Sequence, residues 1–415
     1  MTTDRDPYQS PLLRSPLDVR FEKAGSQEIL LVRCPLGISK SPIGLIPAVA
    51  PILSCFDGRH SVSEIITQFQ PYGVREETIR ELIKLLDDNL FLATPRFSAA
   101  ETHYRADYHA RHSRPPALAG LSYSLSPGEL SGTLSTYLAH GASRIVRSPE
   151  NLVSLISPHI DYRRGGECYG ITYSSFSQAP HDLLILIGTS HQYSEHLFHL
   201  SAQHFETPLG AIPCDVPFVH RLGALYGTER GFADEILHGQ EHSLELQAPF
   251  LAHQNCSGKI APILVGGFHQ FLVDEVYPES VERYDSFVAS LVESIRERII
   301  QGQRICFVAG VDMAHVGRYF GEKSSLTPEF MEMIRLRDSE YLDAIRSGDK
   351  RKLFDHVATD CDARRLCGFP TMYTIMDTLA RLGISYSTEI FDYRQAVDYS
   401  NDCAVTFAGL GLYSR

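Results

Sequence analysis

Four runs of nearly unbroken apolar residues punctuate the chain: NLVSLIS (151–157), DLLILIG (182–188), KIAPILVG (259–266) and RICFVAGV (304–311). Longer stretches between and beyond them carry apolar residues at helical spacing, among them SGTLSTYLAHG, SVERYDSFVASLVESIRERI and FPTMYTIMDTLARLG. In the second of these, Phe287, Leu291 and Ile295 recur every four residues. Continuous apolar strands alternating with helices predict an α/β domain whose central sheet is sandwiched by helices on both faces. The tail TEIFDYRQAVDYSNDCAVTFAGLGLY adds one or two strands.

The first ninety-five residues have a different rhythm. RFEKAGSQEILLVRCPLG alternates enough to predict short strands. A helical segment is expected over residues 45–56, then a turn at Asp57-Gly58. Ser61 and Glu64 form a capping-box signature opening SEIITQF. Ile79, Leu82, Ile83, Leu86 and Leu90 share one helical face. Together they predict a small α+β, winged-helix-like accessory domain over 1–95. Its FDGRHSVSEIITQF and LLDDNLFL segments resemble the PqqD-like peptide-recognition modules, which implies binding of a peptide as an added strand at a sheet edge. Residues 96–116, polar and ending in Pro115-Pro116, predict a partly helical linker. Its three histidines and four arginines (Arg96, Arg105, Arg111 and Arg114) are expected to form a solvated face. The third segment, 117–415, is the α/β domain, so the chain of 415 residues holds two domains.

Composition narrows the function classes. With 38 basic against 50 acidic residues the net charge is −12, which argues against nucleic-acid binding through the phosphate backbone. No apolar run is long enough for a membrane span, and the first residues lack the core of a signal peptide, so a cytoplasmic protein is expected. Nine cysteines without a CxxC pair read as thiols. Eighteen histidines are many, and they are the candidates for proton transfer or metal ligation.

Each apolar run leads into a histidine: His159, His191, His269 and His315. If the strands are parallel, their carboxyl ends share one crevice, where α/β folds gather ligands. EHSLELQ supplies Glu241 and His242, with Glu241 reading equally well as a favourable charge at a helix start. Cys367 precedes a helix starting near Pro370, a setting that favours a thiolate. There is no GxSxG, P-loop or GxGxxG, so neither a serine triad nor a nucleotide cofactor is indicated.

In order along 117–415, AGLSYSLSPGEL (with Tyr123), SPHIDYRRGG, ILIGTSH, TPLG with Asp215 downstream, EHSLELQAPFL, VDMAHVG and LCGFPTM resemble the Memo-like family, also called AmmeMemoRadiSam system protein B. The resemblance implies a fold like that of class III extradiol dioxygenases. It also implies a metal site of His159, His191 and Cys367, with Glu241, His242, Asp312 and His315 lining the pocket as acid–base or orienting groups. Asp161, where the family more often has a small residue, adds a further carboxylate. A 2-His/1-thiolate set suits iron, with copper or zinc as alternatives. Three functions stay open: a metal-dependent, dioxygenase-like redox enzyme; a non-catalytic metal- or peptide-binding adaptor working with a radical-SAM partner and a peptide or protein substrate; and a zinc hydrolase with Glu241 or Asp312 as base.

Overall fold

The computed structural model describes residues 6–141 (apart from 26 and 40), 151–176 and 181–415. The chain divides into two compact units, Met1–Arg111 and His112–Arg415.

The first unit begins with an antiparallel sheet in the order β1 (Asp18–Ala24), β2 (Gln27–Arg33) and β3 (Ile43–Leu45). The expected helix over 45–56 is a single turn, Ala50–Leu53, behind a short 3₁₀ segment, because Pro47 and Pro51 restrict hydrogen bonding there. Helix Val62–Phe69 starts on the capping box: Glu64 N donates to Ser61 Oγ (3.3 Å), and Ser61 N donates to Glu64 Oε2 (2.7 Å). Helix Glu76–Asp88 turns Ile79, Leu82, Ile83 and Leu86 into a core with Leu30, Val32 and Ile65. The stretch expected as a linker carries helix Pro95–His109, capped by Thr94, which buries Phe97 and Tyr108 and belongs to this unit up to Arg111. Those two aromatic anchors are what the polar composition concealed.

The second unit is built on an eight-stranded mixed sheet flanked by helices. Its centre is four mutually parallel strands in the order β5 (Leu152–Ser157), β11 (Ile305–Gly310), β6 (Leu183–Thr189) and β10 (Lys259–Val265). These are the four apolar runs, and β6 is buried along its whole length. Two short strands close this sheet, β7 (Phe198–Leu200) against β10 and β12 (His315–Val316) against β14 (Cys403–Ser414). β14 runs antiparallel to β5 and forms a long hairpin with β13 (Tyr386–Asp398). A small separate sheet joins β4 (Ser113–Arg114), β8 (His204–Thr207) and β9 (Gly210–Ile212).

Helix Tyr162–Ser174 packs on β5, β13 and β14, and helix Phe369–Arg381 on β6 and β11. Helix Pro127–Gly141 lies so close to the former that a Cβ at Gly170 would sit 2.0 Å from the Tyr137 carbonyl oxygen. Parallel β5, β6 and β11 end side by side, and that shared edge places the site. No helix among the described residues is long and apolar enough to cross a membrane.

Candidate metal centre

Gly310 ends β11, and its missing side chain decides what can approach. A Cβ there would lie 1.9 Å from Ser243 O, so the short helix His242–Glu245 can press against the strand end only because residue 310 is glycine. That contact brings His242 beside the histidines that follow β5 and β6.

One nitrogen from each of His159, His191 and His242 lies within 4.8 Å of the other two. His191 and His242 stack at 4.4 Å between ring centroids, and His159 meets them edge-on at 4.9 and 5.0 Å. His159 is buried, whereas the side chains of His191 and His242 are 30 % and 38 % exposed, so the cluster opens to solvent on their side.

Every Nδ1 in the cluster is occupied. His159 Nδ1 donates to the Gly310 carbonyl (3.0 Å). His191 Nδ1 donates to Glu241 Oε1 (2.9 Å), and His242 Nδ1 lies 3.2 Å from the same oxygen. A carbonyl or carboxylate only accepts, so the proton sits on Nδ1 and the lone pair on Nε2. This is the usual way proteins prepare imidazoles as metal donors, and the donor set fits a divalent transition metal.

Glu241 is therefore the hub. Its carboxylate also accepts His191 N (3.0 Å) and Ser243 N (2.9 Å), the latter as cap of the short helix. Burial works to raise its pKa, but the two imidazoles hold it well below the carboxylate range. Burial likewise opposes protonation of His242, yet Glu241 raises that ring above the ordinary histidine value. His159 is driven well below it by burial, with His191 and His242 adding to the effect.

Cys367 Sγ stands 3.3 Å from His159 Nε2, its backbone pinned by Thr189 Oγ1, which donates to Cys367 O (2.8 Å). The expected thiolate is not favoured here: burial, reinforced by Asp312, raises the thiol well above its ordinary pKa. Asp312 accepts His159 N (2.9 Å), and burial pushes it up to about 7. His315 is also fixed, its Nδ1 lying 3.2 Å from both Met313 O and Arg365 O, while burial brings it down to about 4. The loop between Asp360 and Cys367 holds Cys361, Asp362 and Arg365 at φ of 50°, 55° and 53°. It is tied by Leu366 N to Asp362 Oδ1 (2.8 Å) and by Arg364 to Asp338 (3.1 Å).

Three further residues named from the sequence have other partners or settings. Asp161 is spent as the cap of helix Tyr162–Ser174, accepting Arg164 N and pairing with Arg164 Nε at 2.6 Å. A residue just before a helix start is placed for capping, and that is the role its carboxylate has here. His269 follows β10 but is exposed at the start of a separate short helix. Asp215 caps helix Val216–Tyr226 and pairs with Arg298 (2.7 Å).

Arg114 is the residue that sequence reasoning misplaced. Expected on a solvated face, it is fully buried, with Nε donating to His238 O (2.6 Å) and a terminal nitrogen to Glu245 Oε2 (2.5 Å) and Glu241 O (3.1 Å). Apart from the adjacent Pro115 carbonyl, its partners lie more than a hundred residues away, so no local pattern betrays it.

A mixed α/β sheet with two prepared imidazoles at its strand ends and a third on a helix pressed against them defines an α/β protein able to hold a metal in a strand-end cleft. The chain belongs to the Memo-like protein family, which it matches over residues 114–411. It is similar to a MEMO1 family protein of Aquifex aeolicus, 25 % identical over 386 residues, covering 92 % of this chain and 96 % of the relative. A MEMO1 family protein of Archaeoglobus fulgidus is 26 % identical over 69 % of this chain and 97 % of its own length. One from Methanosarcina acetivorans is 28 % identical over 70 % and 94 %. The Aquifex match is longer than the second unit and so reaches into the first.

Proposed function

We propose that the second unit is a metal-dependent redox enzyme of the dioxygenase-like kind. His159, His191 and the Cys367 sulfur hold a divalent transition metal, iron ahead of copper or zinc. The observation that carries this reading is the occupation of every Nδ1, which leaves Nε2 as the donor atom of His159 and His191, with the Cys367 sulfur 3.3 Å from the former. When bound, such a metal supplies Lewis acidity and one-electron redox chemistry.

The chain's own residues supply the rest. Glu241 fixes the directions of His191 and His242. His242, partly exposed and paired with Glu241, is placed to hold or deliver a proton on the open side of the cleft. His315 keeps its proton on Nδ1 and offers Nε2 as an acceptor. Asp312 supports the backbone of His159.

The test is metal analysis of anaerobically prepared full-length protein, repeated for His191→Ala, Cys367→Ser and His242→Gln. Stoichiometric metal, lost in His191→Ala and reduced in Cys367→Ser, supports the reading. Absence of metal, or a content indifferent to His191→Ala, overturns it. Loss in His242→Gln with retention in Cys367→Ser replaces the thiol by a third imidazole.

For the first unit we propose peptide recognition in the service of a radical-SAM partner, supported by its three-stranded sheet with β1 and β3 as edges. Val19 and Phe21 stand exposed on β1. Retention of a radical-SAM protein by the full chain but not by a chain lacking residues 1–111 is the expected result.

A further inference from the structure

Arg114 and Glu245 form a buried ion pair, 0 % and 1 % exposed, with no place in the donor set described above. Glu245 is saturated: besides Arg114 it accepts Ala117 N (3.0 Å), Leu118 N (2.7 Å) and the Tyr123 hydroxyl (2.7 Å). The guanidinium lies over the Phe205 ring, 5.1 Å from its centroid. Its remaining donors go to main-chain carbonyls, those of His238 and Glu241 and, at 3.3 Å, that of the neighbouring Pro115. The Glu241 carbonyl belongs to the hub residue itself, and that of His238 lies three residues before it. Glu241 therefore has its backbone held from one side by Arg114, while its side chain holds His191 and His242 on the other.

From this arrangement we infer that Arg114 is a positioning residue for the centre: through the carbonyls of His238 and Glu241 it sets the place of the Glu241 carboxylate, and so the tautomer and aim of His191 and His242. A guanidinium is needed because a carboxylate and three carbonyls in different directions must be met from one planar fork. An ammonium on a flexible stem would satisfy the charge of Glu245 without fixing the carbonyls. The inference rests on the metal reading in only one of its two readouts.

The experiment uses the full chain with ¹⁵N-labelled histidine, as parent and as Arg114→Lys. Long-range ¹H–¹⁵N spectra of the metal-free protein report the tautomers of His191 and His242. Competition titration with Co(II) reports metal affinity. The parent is expected to show Nδ1–H at both rings. Arg114→Lys is expected to show mixed tautomers and affinity weakened about 10- to 100-fold, the range seen when groups supporting metal ligands are removed. If Arg114→Lys fails to fold, Arg114→Met/Glu245→Gln takes its place, since it abolishes the charge pair without stranding a buried carboxylate. Parent-like tautomers and affinity, even with a lower melting temperature, would show Arg114 to be merely structural and overturn the inference. Should the parent bind no Co(II), the metal reading fails, and the tautomer spectra still decide the role of Arg114.

Discussion

Glu241→Gln isolates what one carboxylate does for the centre. Four N–H groups converge on Glu241: His191 Nδ1, Ser243 N and His242 Nδ1 at one oxygen (2.9, 2.9 and 3.2 Å), and His191 N at the other (3.0 Å). Glutamine offers one carbonyl oxygen. Placed where the three donors meet, it turns its NH₂ toward His191 N–H, donor against donor. Turned the other way, it opposes three donors at once. Either orientation strands at least one buried N–H, which costs about 1–3 kcal/mol. Both rings also lose the negative charge that fixes their tautomer, and metal affinity is expected to fall about 10- to 100-fold. That fall corresponds to about 1.4–2.8 kcal/mol. Urea denaturation of metal-free protein checks the first figure, and competition against a chelator of known affinity checks the second. A Glu241→Gln protein with parental stability and parental affinity would refute the hub role.

Other expectations follow from buried groups and close contacts. His238 is buried, donates Nε2–H to His199 O (3.1 Å), and is brought down to about 3 by burial, against 6.5 for a free ring. The unfolded chain therefore takes up this proton first, so its contribution is complete above about pH 6.5 and drains away toward pH 3. At pH 5 the loss is about 2 kcal/mol, and in His238→Gln, which keeps a donor for His199 O, that part of the acid sensitivity should vanish from a stability-versus-pH series. An unchanged slope counts against it. Gly310→Ala would force Ser243 and the His242–Glu245 helix off the strand end, costing about 1–3 kcal/mol or more by denaturant unfolding and weakening the metal site with it. Parental unfolding of this variant would show that the close approach is not a constraint.

The fold was legible where burial is two-sided. β5, β6, β10 and β11 lie between helices, so their sequences are almost wholly apolar and read as buried strands. β7 and β9, three residues each, and the two-residue β4 and β12 are too short to carry a period. At the centre, the placing of His159 and His191 directly after apolar runs announced a shared edge, and the structure brings them together with His242. The state of Cys367 was not legible, because position before a helix says nothing of how deeply a thiol is buried. Asp161, read for its closeness to a histidine in sequence, also caps its own helix and pairs with Arg164. Arg114 was hidden altogether, since a charged residue beside prolines and histidines reads as solvated until its distant partners are known.

The loop that delivers Cys367 has a consequence for anyone wishing to borrow it. Cys361, Asp362 and Arg365 hold left-handed backbone angles that non-glycine residues avoid, at about 1 kcal/mol or more for each. The bonds from Arg364 to Asp338 and from Arg365 to Glu322 (3.0 Å) keep them there, and both acceptors lie outside the loop. Cut out as a peptide or grafted onto another scaffold, the segment would relax and its sulfur would lose its bearing. The thiol is thus not a portable motif: its address is written in the rest of the domain.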